Sequence, residues 1–495
     1  MENRSPDPAG DALGVLDLVA RYARASTRRP RPVAAAAPGL LADLLGGPVP
    51  EAGADAAATV RRLIRAGEAG TVDTGGAHSF GYVIGGALPV GVAADWLTSL
   101  WDQCAATPDA SPLAATAEDV CARWLVDLLG LPPGTVMGLT SGCTTANLVC
   151  LAAARDDQLR RAGWSVREQG MRGAPPLTVL VGRETHVSVL RCLRLLGLGG
   201  QVHRVRADGE GRMDARHLAR LADRAEGGLI VCGEVGSTNT GSVDPLPRLA
   251  EVVRARGGWL HLDGAFGLWA AASPRLRPLL DGVALADSWS CDGHKWLNTP
   301  YDCGLALCAR PDAFHRAVAV HADYVHPGGG TGPAAPAGDA APAVAGGADG
   351  PAAPAPVRGA APGGDQVDRR VEFSQRSRAI TLWAVLHHLG RAGLAALVER
   401  NVDAAQGLAR ALAGEPGIEL LAPVRLNQVL LRVGDDDRTR RLVDRLNTGG
   451  AVWVTRTRWR GRGAVRLSVC SWRTGPAEAE AAADAIRAAH RALGP

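Results

Sequence analysis

The chain has 495 residues, which is too long for one simple core and predicts two or three packed units. A formal net charge of +4, carried by scattered arginines, argues against a nucleic-acid-binding role. The ten cysteines show neither a C-x-x-C pair nor metal-ligand spacing, so we expect free thiols and no metal site.

The N-terminal segment, residues 1–75, carries helical spacing at 11–24 and 56–66. Each predicted helix has one apolar face that it cannot bury by itself, so the segment must pack on the main body or on a partner subunit. It has no signal-peptide pattern, and no stretch of the chain reaches the roughly 18 apolar residues of a membrane span. We therefore expect a cytoplasmic protein with no membrane partner.

Residues 76–326 are predicted to form the large domain. An irregular loop at 76–89 contains Phe80 and Tyr82, which on their own residue types are ordinary core aromatics. Helical patterns follow as far as about Leu129.

From Gly138 the pattern becomes a strand, a glycine-containing turn and a helix. The turn holds Ser141, Gly142 and Cys143, and the helix spans 144–155. The exposed amides at the start of such a helix attract phosphate, although a glycine turn can equally be a structural cap.

Short apolar strands follow and alternate with helices; they are predicted at 177–181, 229–234, 259–262 and 305–308. This alternation predicts an α/β fold with a mostly parallel sheet that is covered on both faces. Active sites in such folds gather at the carboxyl ends of the strands. His186, Ser237, Thr238 and Asp263 each follow or end a predicted strand.

Two further regions complete the chain. Residues 327–364 are almost entirely Pro, Ala and Gly and are predicted to be a disordered insertion. Residues 365–495 are predicted to form a smaller C-terminal α+β domain, with strands at 428–433 and 465–469 and a closing helix at 476–493.

Lys295 is the only lysine in the chain, and all other positively charged side chains apart from histidine are arginine. Arginine stays protonated, whereas a desolvated lysine amine can lose its proton and attack a carbonyl to form a Schiff base. A single lysine could also be an accident of codon usage. Its neighbours in the run DSWSCDGHKWLN are mainly aromatic or small, however, which favours a pocket.

At these residues the chain resembles the pyridoxal-phosphate-dependent group II amino-acid decarboxylases, which act on aromatic amino acids, histidine and glutamate. The match is best with bacterial members that carry the D-G-H-K-W-L-N motif, and it runs from about Phe80 to the end of the chain apart from 327–364. The resemblance implies a fold type I large domain, pyridoxal 5'-phosphate as cofactor and a homodimer with its active site at the subunit interface. It also implies that the N-terminal helical segment, residues 1–75, packs on the partner subunit.

The resemblance also implies roles for individual residues. Lys295 would hold the cofactor as a Schiff base, and Asp263 would keep the pyridine nitrogen protonated so that the ring accepts electrons. Taken alone, Asp263 could be only a turn residue, and His186 could be a buried core histidine. The full set implied to bind the cofactor is Ser141, Gly142, Cys143, His186, Thr238, Asp263, Ala265, His294 and Lys295. Phe80, Tyr82 and Arg376 would contact the substrate.

Three positions depart from the family pattern. Asp292 stands where relatives have asparagine, Gln375 stands where many have arginine, and no tyrosine follows Tyr324. In relatives that act on aromatic amino acids, a mobile-loop tyrosine protonates the substrate carbon after carbon dioxide leaves. Here Tyr324 or His186 would have to do so.

The expected activity is decarboxylation of an L-amino acid through a lysine Schiff base and a quinonoid intermediate. The missing loop tyrosine leaves open an aminotransferase or a decarboxylation-coupled oxidative deaminase. A non-catalytic relative is disfavoured because Lys295 and Asp263 are both present.

Overall fold

A computed structural model describes residues 12–26, 38–319 and 365–494. The predicted insertion at 327–364 and Tyr324 lie outside these residues. The chain divides into two compact units, which we call the larger unit (Ala87–Glu399) and the smaller unit (Met1–Gly86 together with Arg400–Pro495).

The secondary structure is mixed. The helices are α1 (Ala12–Ser26), α2 (Pro38–Leu45), α3 (Ala56–Gly70), α4 (Pro89–Trp101), α5 (Pro112–Leu129), α6 (Cys143–Arg161), α7 (Val166–Gln169), α8 (Val187–Leu195), α9 (Ala215–Asp223), α10 (Leu246–Ala255), α11 (Pro311–Val318), α12 (Ala379–Leu412), α13 (Asp436–Gly449) and α14 (Pro476–Arg491). The strands are β1 (Val136–Thr140), β2 (Leu177–Gly182), β3 (Val202–Val205), β4 (Gly228–Glu234), β5 (Trp259–Asp263), β6 (Ser288–Asp292), β7 (Gly304–Cys308), β8 (Ile418–Leu420), β9 (Gln428–Val433), β10 (Thr455–Trp459) and β11 (Arg462–Ser468).

The larger unit is built on a seven-stranded sheet with the order β1-β7-β6-β5-β4-β2-β3. Pairing is parallel from β6 through β5, β4 and β2 to β3, whereas β7 is antiparallel to both of its neighbours, β1 and β6. The predicted strands at 177–181, 229–234, 259–262 and 305–308 are confirmed, as is the α/β fold class.

Burial explains why these segments are strands. Every residue of β1, β2, β5, β6 and β7 is buried. Strands that are covered on both faces read as continuous apolar runs, because neither set of alternating side chains meets water. Helix α6 packs against several of these strands, and its buried residues from Ala146 to Ala154 join the same core as Val179 and Trp259.

The smaller unit contains a four-stranded antiparallel sheet with the order β10-β11-β9-β8. The predicted strand at 428–433 and the predicted closing helix are confirmed by β9 and α14. Apolar residues of α13, α14, β9 and β11 form its core, and Phe80 is fully buried within that core. The amide of Phe80 donates to the carbonyl of Trp453, which ties the loop at 76–86 to this unit.

The larger unit includes residues 365–399, which the composition of the sequence had grouped with the C-terminal domain. The buried Arg370 side chain explains this grouping. Its guanidinium forms an ion pair with Glu118 at 2.6 Å and donates to the carbonyl of Leu139 in β1 at 3.0 Å. Both partners of the ion pair are nearly inaccessible to solvent.

Among the described residues, α12 is the one helix that is long and apolar enough to cross a membrane by length and composition alone. This differs from the expectation that no stretch of the sequence is long and apolar enough to span a membrane. Gly390 interrupts α12 with a φ of 57° and a ψ of −175°. Glu399, Arg400 and Asp403 then follow in its second half. A buried helix of a globular protein passes the same test, so α12 is weak evidence for a membrane span.

We predict that Arg370→Ala destabilises the protein by about 3–5 kcal/mol, because it leaves the Glu118 carboxylate buried without its partner. Chemical denaturation monitored by tryptophan fluorescence would measure the loss. Arg248→Ala is the matched control, since Arg248 forms an exposed pair with Glu251 and should cost about 1 kcal/mol or less. Equal losses in the two variants would contradict the prediction.

Candidate functional site

The turn between β1 and α6 forms one wall of the site. Helix α6 begins at Cys143 after Gly142, which supplies no side-chain cap. The amide of Cys143 donates to Asp292 Oδ1 at 2.6 Å, and the amide of Ser141 donates to Glu372 Oε1 at 3.2 Å. Amides at a helix start bind negatively charged oxygen, and here two carboxylates satisfy them.

Gly304, at the start of β7, lies directly against this turn. A Cβ atom at Gly304 would come within 2.4–2.6 Å of the backbone of Gly142. Only glycine fits there, because β7 pairs with both β1 and β6 and therefore runs beneath the turn. The close approach fixes the position of the phosphate-binding turn that the sequence predicts.

Lys295 follows β6 and lies beside its last residue. The Nζ atom is 3.0 Å from Asp292 Oδ2, and the lysine side chain is 21% exposed. Burial alone would lower the pKa of Lys295, but the charge of Asp292, followed by Cys143 and Asp263, outweighs it and raises that pKa above its ordinary value. The amine is therefore held as an ammonium ion in the absence of a ligand, and it must lose a proton before it can attack a carbonyl.

His294 is oriented from two sides. Its Nδ1 accepts a hydrogen bond from the amide of Cys303 at 3.2 Å, and its ring stacks on Tyr301 with 4.3 Å between centroids. Burial lowers the pKa of His294, although Asp292 opposes the shift. A neutral ring whose Nδ1 accepts carries its proton on Nε2, which lies 3.7 Å from Asp292 Oδ2.

Asp263, the last residue of β5, is buried and held by several donors. Its Oδ1 accepts from the amide of Ala265 at 3.1 Å, and its Oδ2 accepts from Asn147 Nδ2 at 3.1 Å. The thiol of Cys143 lies 4.0 Å from Oδ1. Such convergence of donors stabilises the negative charge of a carboxylate.

His186 is exposed on the cavity wall, not buried in the core. It is the N-cap of α8, and its Nδ1 accepts from the amide of Ser188 at 3.3 Å. Its own amide donates to Glu234 Oε1 at 3.0 Å. Burial, followed by the charges of Asp244 and Asp263, raises the pKa of Glu234 well above its usual range.

A cavity of about 330 Å³ connects these groups. Its lining residues are Ser141, Gly142, Cys143, Thr144, Thr145, His186, Ser188, Ala265, Asp292, His294, Lys295 and Tyr301. The structure therefore brings together most of the residues that the sequence assigned to the cofactor. Asp263 reaches the same place through its bonds to Ala265 and Asn147.

Four other predicted residues are not among those that line this cavity. Thr238 is in the turn after β4 and is not among the described residues that line the cavity. Arg376 forms an ion pair with Asp95 at 2.9 Å and donates to Ser99 Oγ at 3.1 Å. In the smaller unit, Phe80 belongs to the core, whereas Tyr82 is 57% exposed.

Three further residues were not predicted. Asn147 could have been noticed as an amide side chain among the apolar residues of the Ala- and Leu-rich helix α6, where it is fully buried. Glu372 and Tyr301 carry no comparable signal, because their position depends on how distant parts of the chain come together. Glu372 reaches Ser141 across 231 residues of sequence.

The residues present fit pyridoxal phosphate. The cavity volume lies in the range of about 300–1,000 Å³ that is usual for small-molecule sites. One end offers the amide-rich turn for a phosphate, and the wall offers the only lysine amine of the chain. Within the described residues, no group of three or more His, Cys, Asp or Glu side chains could hold a metal ion.

Comparison with known proteins agrees with the geometry. Residues 62–331 match the family model described as the pyridoxal-dependent decarboxylase conserved domain. Tryptophan decarboxylase 1 of Oryza sativa subsp. japonica is 28% identical over 410 residues, which cover 77% of this chain and 74% of that protein. The 4-hydroxyphenylacetaldehyde synthase of Rhodiola rosea is 26% identical over 370 residues, with coverage of 70% and 68%.

The fold is likewise shared with solved structures. The crystal structure of Oryza sativa TDC with PLP and tryptamine superposes with a TM-score of 0.84 at 24% identity, and the match covers 99% of this chain and 100% of that one. The expectation of a bacterial subgroup stays a prediction.

We predict that Gly304→Ala weakens the binding of pyridoxal phosphate by about tenfold or more, because the added methyl group displaces the turn that would bind the phosphate. The loss of a hydrogen bond to a charged group costs about 1.5–3 kcal/mol, which corresponds to that factor. Titration of the cofactor-free protein by absorbance would measure it. Gly200→Ala is the control, because a Cβ atom there meets open space. Unchanged affinity in Gly304→Ala would show that the turn does not hold the phosphate.

Proposed function

The chain belongs to the pyridoxal-dependent decarboxylase family, and from that premise we propose that it decarboxylates an aromatic L-amino acid. This chain is a pyridoxal-phosphate-dependent carboxy-lyase that removes the carboxylate of an L-amino acid. The observation that carries the proposal is the position of Lys295 in a cavity between the α6 turn and the end of β5.

Each side chain of the site would have a separate role once the cofactor is bound. Bound pyridoxal phosphate supplies an electron sink for the bond that breaks. Lys295 anchors the cofactor through its amine, and the amides of the α6 turn hold the phosphate. Asp263 holds a proton on the ring nitrogen. His186, exposed on the cavity wall, is the titratable group placed to orient the substrate or to move a proton.

Two observations support an aromatic substrate. The relatives named above include a tryptophan decarboxylase, and tyrosine decarboxylase 4 of Petroselinum crispum is also similar, at 25% identity. In this chain, Tyr301 lines the cavity and is 60% exposed, so its ring offers a surface for stacking.

A second candidate is decarboxylation coupled to oxidative deamination. It is favoured by the absence of any tyrosine after Tyr324 and by similarity to a protein named as an aldehyde synthase. This reaction consumes molecular oxygen and water and releases an aldehyde, ammonia, hydrogen peroxide and carbon dioxide. The simple lyase reaction releases only the amine and carbon dioxide.

We predict that the purified enzyme releases carbon dioxide from at least one of tryptophan, tyrosine, phenylalanine or dihydroxyphenylalanine, and from glutamate or histidine far more slowly. Lys295→Ala should lower the rate by about a hundredfold or more, a loss expected when a group acting in catalysis is removed. Lys295→Arg is the matched control for charge, because arginine keeps the ion pair with Asp292 but cannot bond to the cofactor.

The products decide between the two candidates. Equal amounts of amine and carbon dioxide support the lyase, whereas aldehyde, ammonia and peroxide support the oxidative reaction. Borohydride should fix the cofactor on the peptide that contains Lys295 in the wild type and in neither variant. Full activity in Lys295→Arg would contradict the role of the amine.

We further propose that the enzyme is a homodimer with its active site at the subunit interface, as the family resemblance implies. An apolar face on α4 supports this proposal. It consists of Trp96, Leu97, Leu100 and Trp101, which are 43–65% exposed in the single chain. A contiguous exposed apolar face of this kind is unusual for a monomer and is typical of an interface. The expectation that Tyr82 meets the substrate of a partner subunit stays a prediction.

We predict that Leu100→Glu shifts the protein from dimer to monomer in sedimentation experiments, because a charge in the centre of the α4 face would have to be desolvated. Decarboxylase activity should fall together with the dimer fraction. Leu279→Glu places the same charge on a leucine of the larger unit that is outside this face and 41% exposed, and it should leave the dimer intact. A Leu100→Glu dimer of unchanged stability would rule out this face as the interface.

A cytoplasmic location is also part of the proposal. All ten cysteines are free, and all but Cys104 are buried. Free thiols are typical of a reducing compartment.

A further inference from the structure

Behind the cavity, a line of buried polar side chains leads from the core of the sheet to Asp263. Trp259 Nε1 lies 2.9 Å from Ser288 Oγ, which lies 2.9 Å from His261 Nδ1. His261 Nε2 lies 2.8 Å from Asn147 Oδ1, and Asn147 Nδ2 lies 3.1 Å from Asp263 Oδ2. Trp259, Ser288, His261 and Asn147 are all fully buried.

The direction of each hydrogen bond in this line is fixed. An ionised Asp263 can only accept, so the amide nitrogen of Asn147 must face it and the amide oxygen must face His261. His261 Nε2 therefore carries a proton and donates a hydrogen bond to Asn147 Oδ1. Burial lowers the pKa of His261 to about 4, so the ring is neutral and its Nδ1 accepts. Ser288 then donates to His261 and accepts from Trp259.

Every polar hydrogen of Asn147 is used in this arrangement. Its second amide hydrogen points to Ser188 Oγ at 3.5 Å, and that hydroxyl lies 2.7 Å from His186 Nδ1. A single buried amide thus contacts the carboxylate at the end of β5 and, through Ser188, the histidine on the cavity wall. Leucine or alanine at this position would remove the partner of His261 Nε2 and the partner of Asp263 Oδ2.

We propose that Asn147 and His261 are positioning residues that hold the Asp263 carboxylate in the orientation it needs to pair with the cofactor nitrogen. The inference rests on the role of Asp263 in the proposed function. Asn147 fixes Oδ2, the amide of Ala265 fixes Oδ1, and together they prevent the carboxylate from rotating. A charge that is oriented before the cofactor binds needs no reorganisation when negative charge builds up in the ring.

A cofactor analogue separates this role from simple packing. In the deaza analogue of pyridoxal phosphate, carbon replaces the ring nitrogen, so nothing remains for Asp263 to pair with. The dissociation constants of pyridoxal phosphate and of the deaza analogue would be measured with cofactor-free wild type, Asp263→Asn, Asn147→Leu and Asn427→Leu. Asn427 is the matched control because it is a fully buried asparagine in the smaller unit, bonded to the carbonyl of Val469.

We expect the wild type and Asn427→Leu to prefer pyridoxal phosphate over the analogue, and Asp263→Asn to lose that preference. Asn147→Leu should reduce the preference by about tenfold, as expected for the loss of a hydrogen bond to a charged group. His261→Phe should reduce it by a smaller factor, and His261→Gln should restore part of it because glutamine can both donate and accept.

Two outcomes would overturn the inference. If Asn147→Leu weakens both cofactors equally, Asn147 supports only the shape of the site. If Asp263→Asn keeps the wild-type preference, Asp263 is not the partner of the ring nitrogen. The proposed positioning role of Asn147 and His261 is then wrong as well. Carbon dioxide release from wild-type enzyme would still test the decarboxylase function separately.

Discussion

The site depends on one electrostatic constraint: the positive charge of one half-buried amine, that of Lys295, must be balanced by carboxylates, yet the amine must still be able to lose its proton and react. Asp292 meets this constraint from the end of β6, where it contacts Lys295 Nζ and the amide of Cys143 at once. The arrangement holds the lysine beside the helix start before any ligand arrives. A phosphate that binds to the α6 turn must compete with Asp292 for the amide of Cys143, so cofactor binding and the ionic state of the lysine are coupled.

The sheet brings the charged groups together. β5 and β6 are parallel neighbours, so Asp263 and Asp292 end at the same edge, and β7 runs back between β6 and β1 to place Gly304 against the turn. Helix α6 starts at this edge and crosses the sheet, which lets Asn147 reach both His261 and Asp263. The core that makes the unit stable thus also supplies the supports of the site.

Much of this could be predicted from the sequence because it is local. Apolar runs predicted the strands, and the residues after them placed His186 and Asp263 at one edge of the sheet. Lys295 was joined to them by the family resemblance, because the strand before it was not predicted. Glu372 could not be found in this way, since its contact with Ser141 depends on the path of a distant segment. Composition likewise suggested a boundary near residue 365, but the buried pair of Arg370 and Glu118 ties that segment to the larger unit. Such pairings leave no periodic trace in a sequence.

Because the chain has a single lysine, the chemical state of that lysine indicates whether the cofactor is bound. Lys295 is partly accessible through the cavity, and every other basic side chain apart from histidine is an arginine, which acylating reagents do not modify under mild conditions. The side-chain amine that such a reagent can modify is therefore that of Lys295, to which the cofactor would be bonded. Acylation at this position requires the ammonium ion to lose its proton first, and it would then mark the empty sites in a preparation. Amine-based immobilisation on a surface would attach the protein through its α-amino group or consume its active site.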